Sequence, residues 1–66
     1  MSHDELAAIV RQAIEAHGVA AVSRALGLSA EATCRIGGSL PTQPGTRALA
    51  ASNVGRLYDL GGPRAA

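Results

Sequence analysis

VSRALGLSAEATCRI, residues 22–36, decides the fold. Apolar or small residues recur at Val22, Ala25, Leu26, Leu28, Ala32, Thr33 and Ile36, a spacing that suits two short helices rather than strands. Gly27 lies where the first helix must stop, because glycine takes a positive φ at low cost. Ser29 lies where the second must start, because its hydroxyl can accept from an orphan amide. The spacing predicts one helix over about Val19–Leu26. Val19, Val22 and Leu26 share a face, Ala25 sits at its edge, and Arg24 points outward. Leu28 then plugs the crevice between the two helices. The next helix is predicted over about Ala30–Ile36, with Ala32, Thr33 and Ile36 inward and Ala30, Glu31, Cys34 and Arg35 outward. Gly37 and Gly38 end it.

The flanks read as support. Ser2 and Glu5 match a capping box, in which each side chain satisfies an orphan backbone N–H, and Asp4 and Glu5 suit the positive end of a helix dipole. The predicted helix runs from about His3 to His17, with Gly18 as its stop. Leu6, Ile9, Val10, Ala13, Ile14 and His17 form its apolar stripe, while Ala8, Arg11, Gln12 and Glu15 face away. His17, at the end of the stripe, is either a partly buried side chain bonded to a free carbonyl or a pH switch. Downstream, SLPTQPGT is a loop stiffened by Pro41 and Pro44. A fourth helix is predicted from near Pro44–Thr46 to about Asp59 or Leu60. Leu49, Leu57 and Leu60 share its face, Ala50 and Val54 lie on the flank, and Asn53 sits in the middle of that face. Gly55 weakens it by about 1 kcal/mol relative to Ala. GGPRAA, residues 61–66, reads as a flexible tail. No strand pattern competes, so the expectation is one all-α, four-helix domain over residues 1–60, with room for a short fifth turn.

Bulk properties exclude several classes of protein. Sixty-six residues make one domain at most, and a chain this short buries only about 60% of its unfolded surface. Fourteen alanines, one aromatic (Tyr58) and no Phe or Trp keep the core contacts small, so self-association is a natural source of further stability. One cysteine, Cys34, excludes an internal disulfide and a multi-cysteine zinc site. No cofactor is expected. No apolar run approaches a membrane span, and the polar, acidic start MSHDEL is no signal peptide. A cytoplasmic location follows as the expectation. No catalytic set assembles: Cys34 lacks evident activation, the glycine pairs lack the lysine of a phosphate loop, and the chain is too small for an enclosed substrate pocket. The expectation is therefore no enzyme and no small-molecule substrate. The net charge of +1 discriminates little. All six basic residues are arginine, which suits bidentate phosphate and guanine contacts and equally suits a GC-rich coding sequence.

Residues 22–36 have the layout of a helix-turn-helix, and the stretch resembles that motif in the phage repressor and Cro-like superfamily. The matching positions are Val22 in the first helix, Leu26 before the turn, Gly27 in it, Leu28 and Ser29 after it, and Ile36 at the end of the second helix. The following GGSLPTQPGTRALAASNVGRL is similar to a short bacterial and phage variant whose Pro-containing loop leads into a PGTRAL helix start. The resemblance covers about residues 3–60. The chain departs from the family at Ser23, often Ala there, at Thr33, often Val or Ile, and at Val19, where a phosphate-clamping Gln is common.

The resemblance implies a recognition helix at about residues 29–36 that enters the major groove of double-stranded DNA. Base contacts would come from Ser29, Ala30 (a thymine methyl), Glu31 (a cytosine amino group), Cys34 and Arg35, the last reading guanine through two hydrogen bonds. Phosphate contacts would come from Arg24, Thr42, Gln43, Thr46 and Arg47, with amides at the helix starts. The bland reading of Arg35 is a pair with Glu31 four residues earlier, and that of the other arginines is a solvated surface. Arg11 and Arg56 read as surface residues, and Arg64 as a weak contact from the tail. One short reading helix covers few base pairs, so a homodimer is implied, with Leu49, Asn53, Leu57, Tyr58 and Leu60 at its interface. Asn53 would either pair across the two-fold axis or bond a backbone carbonyl within the core. The expected function is a sequence-specific transcriptional regulator, most simply a repressor, associated with the nucleoid. The alternatives are a protein-interaction module with a degenerate motif, or a non-specific nucleoid-type coating protein.

Overall fold

The computed structural model describes residues 1–60; the expected tail over 61–66, with Arg64, lies outside the described residues. Those residues form four α-helices and a 3₁₀ segment: α1 His3–His17, α2 Val19–Leu26, α3 Ala30–Gly37, α4 Pro44–Asn53, then 3₁₀ Val54–Leu60. No strand occurs among the described residues, and no helix among them is long and apolar enough to cross a membrane.

α1 begins with the capping box in full. Ser2 Oγ accepts from Glu5 N at 3.1 Å, and Glu5 Oε1 accepts from Ser2 N at 2.9 Å. The helix closes through Gly18, whose amide donates to Ile14 O at 2.8 Å while its φ of 89° turns the chain. Leu6, Ala7 and Val10 are buried, and Ile9, Ala13 and Ile14 pack against the core from its rim. His17 is half-buried.

α1 packs chiefly on α3. Gly37 makes the approach close: a Cβ there would come within 3.3 Å of Ile14 Cδ1 and 3.6 Å of the Arg11 backbone. This corrects two expectations. α3 runs one residue farther, through Gly37, and Arg11 is more than a surface charge. Its Nη1 donates to Gly37 O at 2.9 Å, placing a cation on a carbonyl at the negative end of α3. The left-handed residue closing α3 is Ser39, with φ 60°, rather than either glycine. Leu40 N donates to Arg35 O and Ser39 N to Ile36 O, the crossed pair that satisfies a helix's last carbonyls.

α2 and α3 meet through a buried polar pair. Ser23 Oγ donates to Thr33 Oγ1 at 2.9 Å, and Thr33 Oγ1 donates to Ser29 O at 2.9 Å. Ser23 also holds the turn through its carbonyl, which accepts from Gly27 N at 2.9 Å and Leu28 N at 3.0 Å. Gly27 takes the left-handed conformation the sequence requires, with φ 74°. Around this pair the core is aliphatic: Leu6, Val10, Val22, Leu26, Ile36, Ala50 and Leu57.

The end of the chain departs most from expectation. α4 stops at Asn53 instead of reaching Asp59 or Leu60. Beyond it Val54, Leu57 and Leu60 turn inward at intervals of three, the period of a 3₁₀ helix, in which i and i+3 eclipse. Gly55, a poor α-helix residue, lies within this tightened segment. Ala50 takes the inward position on α4, fully buried, while Leu49 is 43% exposed and leaves the face it was expected to share. Asn53 meets the second of its two readings: Nδ2 donates to Leu26 O at 3.0 Å, capping α2.

Two outcomes check this account. Thr33→Val leaves the Ser23 hydroxyl without its acceptor and should cost about 1–3 kcal/mol. Ser23→Ala keeps the Thr33 to Ser29 bond and should cost about 1 kcal/mol or less. The double variant strands no polar group, since Ser29 O still accepts from Thr33 N. Its loss in denaturant unfolding should therefore fall short of the sum of the singles by about 1 kcal/mol.

The second outcome concerns pH. The Glu5 carboxyl is held below its ordinary value of 4.5, first by the Ser2 backbone N–H and then by the Ser2 hydroxyl. A depressed carboxyl stabilises fully above its unfolded value, and that contribution is lost as pH falls through the folded value. Helicity should thus fall as acid takes the pH below the ordinary carboxyl value of 4.5 and on through the lower folded value, and Glu5→Gln should remove that step in a circular-dichroism titration.

Candidate functional site

The outer face of α3 and the start of α4 enclose an open groove of about 680 Å³. α3 contributes Ser29, Glu31, Ala32 and Arg35. The loop and α4 contribute Pro41, Thr42, Gln43, Pro44 and Thr46. The two walls stand apart because α3 ends in the left-handed turn at Ser39 and Pro44 starts α4 from its first position, where a missing N–H costs nothing.

Each wall carries a different chemistry. Ser29 is the N-cap of α3: its Oγ accepts from Ala32 N at 3.1 Å, which leaves the O–H hydrogen free to donate outward. Arg35 Nε lies 3.4 Å from Glu31 Oε2, and Arg35 Nη1 donates to Pro41 O at 3.5 Å. Both contacts are long, and the two side chains are 46% and 77% exposed, so the pair is worth only about 0.3–0.5 kcal/mol. The guanidinium therefore leans across the groove yet is readily exchanged onto another acceptor. Opposite it, the Thr42 hydroxyl oxygen is buried and has no partner among the described residues. Gln43 occupies the N-cap position of α4 but makes no side-chain hydrogen bond to it, so its amide is not committed to capping.

Six of the ten residues expected to meet nucleic acid line this groove: Ser29, Glu31 and Arg35 from the base-contact set, and Thr42, Gln43 and Thr46 from the phosphate set. Ala30 and Cys34 are exposed on α3 but do not line it. Arg24, exposed on α2, and Arg47, half-buried on α4, also stand outside it. The sequence reading missed Ala32, expected inward but half-buried at the groove wall, and the Pro41 carbonyl that receives Arg35. Nothing in the local pattern marks a backbone carbonyl six residues away as the partner of an arginine.

Of the five residues expected at a dimer interface, Leu57 is buried in the protomer's own core, Leu60 packs against that core, and Asn53 is bonded to Leu26. Leu49 and Tyr58 are the exposed pair, Tyr58 at 74%. No family model, no curated protein and no solved structure matches the chain.

The Thr42 hydroxyl provides a check on the groove. A buried polar atom without a partner carries a desolvation cost. Thr42→Val, similar in shape, should therefore raise stability by about 1 kcal/mol in denaturant unfolding. A loss of stability would show that the hydroxyl is bonded in solution.

Proposed function

We propose that the chain is a helix-turn-helix DNA-binding protein of the repressor and Cro-like kind, a sequence-specific regulator that acts as a homodimer on double-stranded DNA in the bacterial cytoplasm. The observation that carries this reading is the groove: α3 presents Ser29, Glu31 and Arg35 toward the same opening as Thr42, Gln43 and Thr46 at the start of α4. In such an arrangement α3 enters the major groove while the α4 wall meets the adjacent phosphates.

Arg35 is the principal reader. Its weak hold on Glu31 and Pro41 is exchanged for two acceptors on a guanine edge. Glu31 then accepts from a cytosine amino group. Ala30 and Cys34, small and exposed on α3, permit close approach of the backbone and contact with a thymine methyl. Ser29, with its donor hydrogen free, bonds a base edge or a phosphate. Arg24 and Arg47 add phosphate contacts from outside the groove, which position without reading sequence. Two copies are needed to cover a useful site, and Leu49 and Tyr58, two of the four large apolar residues exposed among the described residues, leave α4 and the 3₁₀ segment as their contact. Occlusion of a promoter is the simplest mode of regulation for a domain of this size.

A protein-interaction module is the second reading, favoured by the Glu31–Arg35 pair, which neutralises the main reading charge. Titration of genomic duplex fragments at two salt concentrations, with wild type beside Arg35→Ala, separates the readings. The regulator should bind selected fragments with affinity that falls as salt rises. Arg35→Ala should lose about 1–3 kcal/mol of discrimination at one base position. Absence of binding at low salt overturns DNA recognition in favour of the interaction module. Binding that ignores sequence and survives Arg35→Ala identifies a coating protein instead.

A further inference from the structure

We infer that the buried Ser23–Thr33 pair is a positioning device: it sets the rotation of α3 against α2, and thereby which side chains of α3 face the groove. Its bearing on recognition rests on the DNA-binding reading above. The hydroxyl chain runs from the interior of α2 to the rim of the groove. Ser23 Oγ donates to Thr33 Oγ1, Thr33 Oγ1 donates to Ser29 O, and Ser29 caps α3 through Ala32 N. Ser23 is 7% exposed and Thr33 fully buried.

Directionality is what this pair adds. The other buried side chains where α2 and α3 meet, Val22, Leu26 and Ile36, are aliphatic. Such contacts are non-directional and tolerate small rotations with little change in buried area. The core holds no aromatic ring to key the two helices together, since Tyr58 lies on the surface. Among the described residues, Ser23 to Thr33 is the one side-chain hydrogen bond between α2 and α3. Hydrogen bonds weaken steeply with misalignment, so this one selects a rotation that packing leaves loose. A turn of α3 by about 20° moves an outer-surface atom by roughly 2 Å, at an outer radius of about 5–6 Å. That displacement is enough to break a base contact from Arg35 or Glu31. Stability alone does not call for the hydroxyls, because a buried polar pair replaced by apolar groups of similar shape is often neutral. Buried polar groups that specify one arrangement are best known as register-setting residues in coiled coils; here the quantity set is helix rotation.

The test compares wild type, Ser23→Ala/Thr33→Val, and Thr33→Ser, which keeps the hydroxyl. Three readouts apply to each: the amide NMR spectrum of α3, the rate at which a disulfide reagent labels the exposed thiol of Cys34 on α3, and the ratio of affinities for a selected genomic duplex and its scrambled counterpart at one salt concentration. The double variant should fold, yet show broadened or doubled α3 amides, an altered Cys34 rate and an affinity ratio lowered by about tenfold. Thr33→Ser should retain one set of amides and the wild-type ratio. One sharp set of α3 amides with an unchanged Cys34 rate in the double variant overturns the positioning role. A disturbed α3 with the wild-type ratio overturns its bearing on recognition. If wild type binds no duplex at low salt, the DNA reading fails, while the amide and thiol readouts still decide the positioning. Should the double variant not fold, Ser23→Ala, which breaks only the link between helices, carries the same three readouts and the same criteria.

Discussion

Two hydroxyls in an otherwise aliphatic core set how α2 meets α3, and the rest of the fold is arranged about that contact. Ser23 is tied from both its ends: its carbonyl accepts the turn amides of Gly27 and Leu28, and its hydroxyl reaches Thr33. The same residue thus closes α2, shapes the turn and sights α3. Thr33 forwards the bond to the Ser29 carbonyl, which also accepts the Thr33 amide. A valine at position 33 and an alanine at 23 would fill similar space without this directional link.

α1 and α4 brace that unit from different directions. α1 comes close to α3 because Gly37 has no Cβ, and Arg11 then spans the gap to the Gly37 carbonyl. From another direction Asn53 caps α2 at Leu26, drawing α4 onto the turn. Both braces are side chain to backbone bonds that satisfy carbonyls at helix ends, groups that would otherwise need water. With so few large side chains available, this chain uses polar end-contacts where a larger protein would use aromatic packing. The sole aromatic, Tyr58, contributes nothing to the core and stands on the surface.

The groove follows from these braces. With α3 set by α1 and α2, and α4 set by Asn53, the loop between Gly38 and Gln43 must separate two helix faces whose orientations are already determined. Ser39 in the left-handed conformation and Pro44 at the first position of α4 make the two corners. Arg35 and Pro41 meet across the opening only because both corners turn as they do. At this opening the Arg35–Glu31 contact is long and the Gln43 amide uncommitted, whereas the polar groups at the helix ends behind it are firmly bonded. Loose polar groups at an exposed opening suit exchange of partners, and bonded ones suit a rigid scaffold.

Helices α1 to α3 are legible in the residues nearly to their ends, as is the left-handed turn at Gly27, though not the one at Ser39. Those features depend on groups within about four residues of one another: Ser2 with Glu5, Ser29 with Ala32, the 3.6-residue apolar stripe, and a glycine where φ must be positive. Candidate groove residues were legible for the same reason, since Ser29, Glu31 and Arg35 fall outward on any helix that turns Thr33 and Ile36 inward. The remaining contacts join residues far apart in the chain. Arg11 and Gly37 stand 26 residues apart in the chain, and Asn53 and Leu26 stand 27 apart. No local period couples such positions. The same holds for α4, whose pattern continues acceptably as an α-helix to Leu60. It tightens to 3₁₀ because Val54, Leu57 and Leu60 must all meet a core surface already shaped by other helices, and a three-residue period reaches it where a 3.6-residue period does not.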